Sequence, residues 1–199
     1  MKHRERADEP SAQGPPDEAT GNDLFAEQVS QVSGHPRSEL LSEDARQAAD
    51  TALIMSALMQ PADANFMGVI HGGAVMKLVD EAAAACAYRF CRKRVVTVAI
   101  DGMDFHYPVA IGSLLTLRAA INHVGKTSME VGVRVETEDL ASGTVIHTNS
   151  AYLVFVALDA LGKPAPVPRL ILETEDERAR WRAAEARQGH RRRMRETVA

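Results

Sequence analysis

The residues between positions 65 and 81 include the side-chain types that a hydrolytic site needs. Asn65 lies 15 positions before Asp80, and His71-Gly72-Gly73 stand between them. A carboxylate can act as a general base toward water, and an amide can orient that water or polarise a carbonyl group. Glycines at the start of a helix leave backbone N–H groups open to an oxygen that becomes negative during a reaction. The combination is typical of attack by water on a carbonyl compound.

Each of these residues also has a simpler interpretation when it is taken alone. Asn65 can be an ordinary turn residue, and Gly72 and Gly73 can form a flexible entry into a helix. Asp80 can be exposed to water among alanines that are present only because they favour helix formation. The helix alone does not choose between an exposed and a sheltered Asp80.

Residues 71–91 predict a long helix, because they are rich in alanine and contain no proline. At about 100° per residue, one apolar face about 120° wide forms from six residues: Val75, Leu78, Val79, Ala82, Ala85 and Cys86. Asp80 falls nearly opposite that face, among Met76, Ala83, Ala84 and Ala87. We therefore expect a second apolar face, covered by another subunit or a ligand, in which the Asp80 carboxylate loses hydration and becomes a stronger base.

Strand patterns surround this helix. A strand-like segment is predicted at residues 50–60, and four further strands at 95–101, 115–122, 129–136 and 144–159. Turn residues separate the later strands at 107–112, 124–126 and 139–143. Because turns this short join antiparallel neighbours, the fold class is predicted to be α+β, with one long helix against an antiparallel sheet.

The two ends of the chain differ in composition from its centre. Residues 1–45 are rich in charge, proline, glycine and serine, so we expect a disordered extension before a folded domain at 46–165. Residues 166–199 are expected to end in a helix, since Thr174 and Glu177 have the spacing of a capping box, and Trp181 is expected to pack this helix on the domain. The arginines near its end indicate either a solvated helix or a basic patch for phosphates.

Composition excludes several classes of protein. Net charge is −4 and aromatic residues make up 5% of the 199 residues, which argues against nucleic-acid binding. No apolar run approaches about 18 residues, and the first residues lack the apolar core of a secretory signal, so we expect no membrane span and a cytoplasmic location. Cys86 and Cys91 lie about 140° apart on one helix, so we expect neither a disulfide nor a zinc site.

Several separated segments resemble the acyl-CoA thioesterases of the hotdog fold. The segment NFMGVIHGG at 65–73, followed by MKLVDE at 76–81, is most similar to the cytosolic (brain) acyl-CoA hydrolase-like branch and its single-domain bacterial relatives. The resemblance continues in VVTVAID at 95–101 with Phe105 and Pro108, in GKTSME at 125–130, and in PVPRL and ETEDE within 166–177. It covers roughly residues 50–180.

The resemblance implies a fold, an assembly and a reaction. A long helix would be wrapped by a curved antiparallel sheet, two such units would form a homodimer, and three dimers a hexamer. Hydrolysis of an acyl-CoA would depend on Asn65 from the loop of one unit and Asp80 on the helix of its partner. Backbone N–H groups near Gly72 and Gly73 would bind the thioester carbonyl, while His71 would orient the loop.

The resemblance also suggests which residues contact CoA, which is part of the substrate, so no separate cofactor or metal is expected. Lys126 and Ser128 match positions that contact CoA, Thr97 could pair with the pantetheine arm through its backbone, and Arg94 and Arg169 are further cations near the mouth. Acyl length would depend on side chains such as Met67, Met76 and Tyr88.

Three alternatives remain at this point. An aryl-CoA thioesterase of the phenylacetyl- or hydroxybenzoyl-CoA type shares part of the same spacing. A non-catalytic acyl-CoA sensor could use the same fold, although it would not need a sheltered base. A hotdog dehydratase fits less well because its His and Glu arrangement is not matched. Asp80 itself could act as a general base or as a nucleophile that forms a mixed anhydride.

Overall fold

A long helix lies against one face of a five-stranded antiparallel sheet in the computed structural model, which describes residues 45–198. The predicted disorder of the N-terminal extension concerns residues that lie almost entirely outside this described part. In chain order the elements are β1 (Ala45–Gln47), β2 (Leu53–Leu58), α1 (Gly72–Cys91), β3 (Arg94–Phe105), β4 (Leu114–Val124), β5 (Ser128–Asp139), β6 (Thr144–Leu158), β7 (Arg169–Ile171) and α2 (Glu175–Val198). The strand order β2-β4-β5-β6-β3 confirms the predicted α+β class and the hairpin connections between the last strands.

The core forms where the inward side chains of the sheet meet α1. Buried and less buried residues alternate along much of β4 and β6, so every second side chain points toward the helix. Burial of these apolar side chains is the dominant favourable contribution to folding. The centre of the core consists of fully buried residues from both layers: Val75, Val79, Cys86, Leu115, Leu117, Val133, Leu153 and Phe155.

The buried face of α1 differs from the one predicted. Ala83 and Ala87 are completely buried, whereas Ala85 is exposed and Leu78 is only half-buried. The face is therefore rotated toward Asp80, which lies at its margin and not on the opposite side of the helix. Alanine fits a core and a wet surface equally well, so its pattern in the sequence could not define the orientation of this helix.

The strand β3 forms one edge of the sheet and pairs with β6 alone among the described strands. Its pairing is interrupted twice, between Thr97 and Ala99 and between Asp101 and Met103. Several large apolar side chains along it are exposed: Val96, Val98, Ile100 and Phe105. A long apolar strand edge that is left uncovered promotes association with another strand, so this edge is a natural place for a second chain to pair.

The structure adds one strand pair that was not predicted and confirms the predicted capping box at the start of α2. The strand β7 pairs in parallel with β1, which places Arg46 opposite Leu170; the sequence pattern did not predict this pair. The capping box is confirmed, since Glu177 accepts hydrogen bonds from the backbone of Glu173 and Thr174 and its own N–H donates to the Thr174 hydroxyl.

The helix α2 packs on the face of the sheet opposite α1, around a buried carboxylate. Glu130 is 2% exposed and accepts hydrogen bonds from the Arg187 guanidinium at 2.6 and 3.3 Å. The same guanidinium lies 3.6 Å above the centre of the Tyr152 ring. Arg191 on the next helical turn forms an ion pair with Asp101 of β3. For Arg187 and Arg191, these contacts support a structural role over a patch for phosphates.

Replacing Arg187 with methionine should destabilise the fold, because Glu130 is then left buried without its main partner. A buried charge that loses its partner costs about 3–5 kcal/mol of unfolding free energy. We expect the double variant Arg187→Met/Glu130→Gln to recover part of that loss in urea unfolding. Arg182→Met, which removes an exposed ion pair with Glu175, is the matched control and should leave the urea midpoint nearly unchanged. Equal midpoints for the two single variants would contradict this arrangement.

The stacking of His123 on Trp181 should make the docking of α2 sensitive to acid. The two ring centres are 4.1 Å apart. Burial lowers the pKa of His123 from 6.5, and Arg192 acts in the same direction against the opposing charges of Glu185 and Glu130. The unfolded chain therefore binds a proton that the folded chain rejects, so unfolding free energy should fall as the pH drops below about 6.5.

The measurement is the urea midpoint as a function of pH between 5 and 8, compared with that of His123→Gln. We expect a shallower acid slope in the variant; some slope should remain, because burial also lowers the pKa of His147. Superimposable slopes would show that His123 does not couple to folding.

Candidate active site

Asp80 and Thr97 are joined by a hydrogen bond between α1 and β3. The Thr97 hydroxyl donates to Oδ1 of the half-buried Asp80 carboxylate at 2.8 Å. Thr97 stands at the first interruption of the β3–β6 pairing, and such a bulge redirects neighbouring side chains. Within residues 45–198 the second oxygen, Oδ2, has no hydrogen-bond partner. The contact fixes the carboxylate while leaving one oxygen for water or a reacting group.

The structure gives Thr97 a contact that the sequence did not suggest. We expected its backbone to pair with the pantetheine arm, and the structure shows its hydroxyl on the Asp80 side chain. No spacing rule links a helix residue to a strand residue 17 positions later, so the sequence pattern gave no signal for this contact. Only the packing of α1 beside the edge strand brings the two groups together.

Asn65 closes the loop that precedes α1. Its side-chain oxygen accepts hydrogen bonds from the backbone of Met67 at 2.8 Å and Val69 at 3.4 Å. Gly68, with φ of 78°, makes the turn possible because a left-handed backbone favours glycine. The turn interpretation of Asn65 is confirmed, and the same geometry leaves the side-chain NH₂ group without a hydrogen-bond partner in the described part of the chain.

The start of α1 offers fewer free backbone donors than the sequence suggested. His71 caps the helix through Nδ1, which accepts a hydrogen bond from Gly73 N–H at 2.9 Å, while its carbonyl oxygen accepts one from Ala74. Of the two predicted donors, Gly73 is thus already paired, because the ring of His71 reaches back over it. Gly72 N–H remains as the donor at the helix start that can bind an outside oxygen.

Gly72 also lines a cavity of about 180 Å³ with Phe105 and Tyr107. A β-carbon at position 72 would lie 3.4 Å from the Phe105 ring, an ordinary van der Waals contact. The cavity lies at the far end of β3 from Arg94. His71 is exposed and its ring accepts a hydrogen bond from the backbone of Gly73, which agrees with a role in shaping the loop.

The structure does not bring all predicted catalytic residues together within one chain. Gly72 and Asp80 lie eight residues apart on α1, which corresponds to about 12 Å along the axis. Asn65 and Asp80 share no contact among the described residues. The exposed side chains that flank Asp80 one turn before and two turns after it are Met76 and Tyr88.

Two of the predicted CoA-binding residues, Arg94 and Ser128, lie toward the opposite end of β3, because Ser128 pairs with Val156 and Val156 pairs with Val96. Lys126 is exposed in the turn before Ser128, and its carbonyl oxygen accepts a hydrogen bond from Val167. The Arg94 guanidinium donates to the carbonyl oxygens of Asp159 and Ala160 at 2.7 and 3.1 Å, so it braces a turn. Arg169 is exposed on β7.

An apolar groove of about 490 Å³ follows Asp80 along α1 toward this end. It begins at Ala84, one turn beyond Asp80, and continues past Tyr88 to Val96 and Leu158. Small alanines form the helical side, which leaves room between α1 and the exposed edge strand. Arg94 also lines the groove, and it and Tyr88 are the residues of the groove that the sequence had linked to substrate binding.

Thiol and metal chemistry find no support in the described residues. Cys86 and Cys91 are both free, and burial raises the pKa of the Cys86 thiol to about 12, although nearby Arg89 opposes this. Burial also raises the pKa of Cys91. Residues 45–198 hold no group of three His, Cys, Asp or Glu side chains that could bind a metal ion. None of the described helices is long and apolar enough to cross a membrane.

Comparison with known proteins matches the same part of the chain. The sequence model of the thioesterase superfamily matches residues 67–144. Protein VdlD of Helicobacter pylori is 46% identical over 134 residues, which cover 67% of this chain and 76% of VdlD. The cytosolic acyl coenzyme A thioester hydrolase of Rattus norvegicus is 35% identical over 65% of this chain, and the match spans 35% of that longer protein.

Solved structures agree with the fold. A hexameric acyl-CoA thioesterase, solved in its apo form, is 36% identical, with a TM-score of 0.73 over 76% of this chain and 97% of its own. An acyl-CoA hydrolase from Staphylococcus aureus, solved with butyryl coenzyme A and coenzyme A, is 30% identical, with a TM-score of 0.72 over 77% and 94%.

The Staphylococcus enzyme was also solved with alanine replacing an asparagine, an aspartate or a threonine. Those three positions are separated by 15 and 17 residues, as are Asn65, Asp80 and Thr97 here. Three observations agree with one another: the long helix on an antiparallel sheet, the match to the superfamily, and the similarity to VdlD and the hexameric thioesterase over most of their length. This chain belongs to the hotdog thioesterase superfamily, among its acyl-CoA thioester hydrolases.

Proposed function

We propose that this protein hydrolyses acyl-CoA thioesters at sites that combine Asp80 and Thr97 of one protomer with Asn65 of another. The observation that carries this proposal is the hydrogen bond from Thr97 to a half-buried Asp80 carboxylate with one free oxygen. The matching spacing of the three residues altered in the Staphylococcus enzyme supports the same assignment.

The exposed edge of the sheet favours a site shared by two chains. Within one described chain Asn65 does not contact Asp80, although both present a free polar atom. Pairing of β3 with β3 of a second copy would cover the exposed Val96, Val98 and Ile100 and would set α1 beside the partner's loop. A homodimer with two composite sites follows, and three such dimers would form a hexamer, the state named for three of the similar structures.

The proposed reaction uses Asp80 as a general base. Thr97 holds Oδ1, and the free Oδ2 takes a proton from a water molecule that attacks the thioester carbonyl. Gly72 N–H of the protomer that supplies Asn65, at the positive end of its helix dipole, stabilises the oxyanion, while the Asn65 NH₂ group orients the water or the carbonyl. Collapse of this intermediate releases the acid and CoA thiolate, which needs no strong general acid because a thiol pKa lies near 8.5.

The substrate is proposed to carry an aliphatic acyl chain, since the exposed side chains that flank Asp80, Met76 and Tyr88, are large and apolar. Lys126 and Ser128, with Arg169 as a further cation, are proposed to contact CoA near the end of β3. We place the enzyme in the cytoplasm, because the rat relative is named as cytosolic. Release of CoA from a panel of aliphatic and aryl thioesters tests this preference against the phenylacetyl-CoA type.

Replacing Asp80 with asparagine should reduce kcat by about 10²–10⁴-fold, because the amide cannot accept the proton from water. The measurement is release of free CoA thiol from a series of acyl-CoA substrates. Glu81→Gln is the matched control, since Glu81 is the adjacent carboxylate and is exposed beside Lys77. Turnover by the Asp80 variant within a few-fold of the control would exclude Asp80 as the base.

Mixing two inactive variants tests whether the site is shared between chains. A heterodimer of Asn65→Ala and Asp80→Asn has one site with both residues intact and one site with neither. If protomers mix at random, half of the dimers are heterodimers, so about a quarter of the wild-type activity should return. Co-refolded protein is assayed against each variant refolded alone. If both residues act within one chain, no activity will return on mixing.

A further inference from the structure

A second cavity, of about 420 Å³, lies at the C-terminal end of α1. Arg46, Cys91, Arg92 and Lys93 line it, together with residues 166–168. Cys91 is 11 residues beyond Asp80, which corresponds to about 16 Å along the helix axis. We call this space the basic cavity. It is separate from the cavity beside Gly72 at the helix start.

Three cations and no carboxylate line the basic cavity, which sets it apart from other arginine clusters in the protein. Arg118 and Arg134 share Glu136, and Arg187 binds Glu130. The helix C-terminus carries partial negative charge and so favours nearby cations. Lys93 donates to the carbonyl oxygen of Pro166 at 2.6 Å, a contact that does not neutralise its charge. Three like charges around one space therefore keep an excess of positive charge.

Arg46, which lines the basic cavity, carries an unpaired donor. Its Nε atom is buried and has no hydrogen-bond partner. Pairing of β1 with β7 fixes its backbone, so the side chain cannot be moved away simply by shifting a loop. A buried N–H without an acceptor is unfavourable.

Arg92 occupies a backbone position that usually belongs to glycine or asparagine. Its φ is 54°, the one positive value for a residue other than glycine among the described residues. This left-handed residue ends α1, since its N–H donates to the carbonyl oxygen of Tyr88. Arginine at this position is sterically unfavourable, yet its side chain lines the cavity with Arg46 and Lys93 as a third cation.

We propose that the basic cavity binds a phosphate group, as a phosphate monoester or a diphosphate. Guanidinium groups recognise phosphate through paired hydrogen bonds, and the volume exceeds that of a single phosphate group. Val167 in the cavity wall is hydrogen-bonded to the Lys126 carbonyl oxygen, so the cavity adjoins a proposed CoA contact. The phosphate can belong to bound CoA, a source that rests on the proposed function, or to a free phosphate or nucleotide.

Calorimetric titration of the full chain with inorganic pyrophosphate tests the site directly. Arg46→Gln and Lys93→Gln should each weaken binding about tenfold, the effect of losing one charge-assisted hydrogen bond. Arg92→Asn, which suits the left-handed backbone, supplies a variant that should fold normally and still weaken binding. Arg182→Gln, an exposed arginine on α2, is the matched control and should bind as the wild type does. Failure of pyrophosphate, CoA and 3′-dephospho-CoA all to bind, or equal affinity in all variants, would overturn the proposal.

Substrates with and without phosphate groups distinguish the two sources. If CoA fills the cavity, Arg46→Gln should reduce kcat/KM for acyl-CoA about tenfold relative to that for an acyl-N-acetylcysteamine thioester, which has no phosphate. If a free anion fills it, this ratio should stay at the wild-type value while pyrophosphate affinity falls. The N-acetylcysteamine thioester has no phosphate to place in the basic cavity, so absence of its hydrolysis would count against the proposed function. Absence of binding in the titrations would count against the phosphate site.

Discussion

The close packing of α1 on the sheet is the constraint on which the site depends. Ala82, Ala83 and Ala87 are completely buried, and their small side chains let the helix backbone approach the strands. This approach sets Asp80 at the margin of the buried face, within hydrogen-bond distance of Thr97. Larger residues at the alanine positions would push α1 outward, and the carboxylate would lose the contact that orients it.

The edge strand β3 serves structure and chemistry at once. Its middle carries Thr97, and its far end places Phe105 beside Gly72. Its exposed apolar side chains favour association with a second chain. The C-terminal helix holds the same strand from behind through the ion pair of Arg191 with Asp101. The buried Glu130 beside this pair makes the position of α2 specific, because a carboxylate out of water must meet its arginines.

Several features followed from local patterns that need no knowledge of distant contacts. The start of α1 at Gly72 and its end at Cys91 match the predicted helix, because proline-free alanine-rich sequence and flanking turn residues act within a few positions. The capping box of α2 and the alternation of β5 follow for the same reason. The rotation of α1 did not, since alanine carries no preference between core and surface. The pairing of Gly73 with His71 and the β1–β7 pair were also missed, because each depends on three-dimensional approach.

The sequence by itself determined the elements, the α+β class and the family, because periodic patterns, turn residues and a chain of ordered motifs are all readable along one dimension. Only the tertiary structure decided which face of α1 is buried, that Thr97 fixes Asp80, and that Arg46, Arg92 and Lys93 surround one space. Those facts depend on residues brought together from distant positions, and their geometry is set by packing against a common core. Side chains 17 or more positions apart acquire a joint function only when that packing is complete.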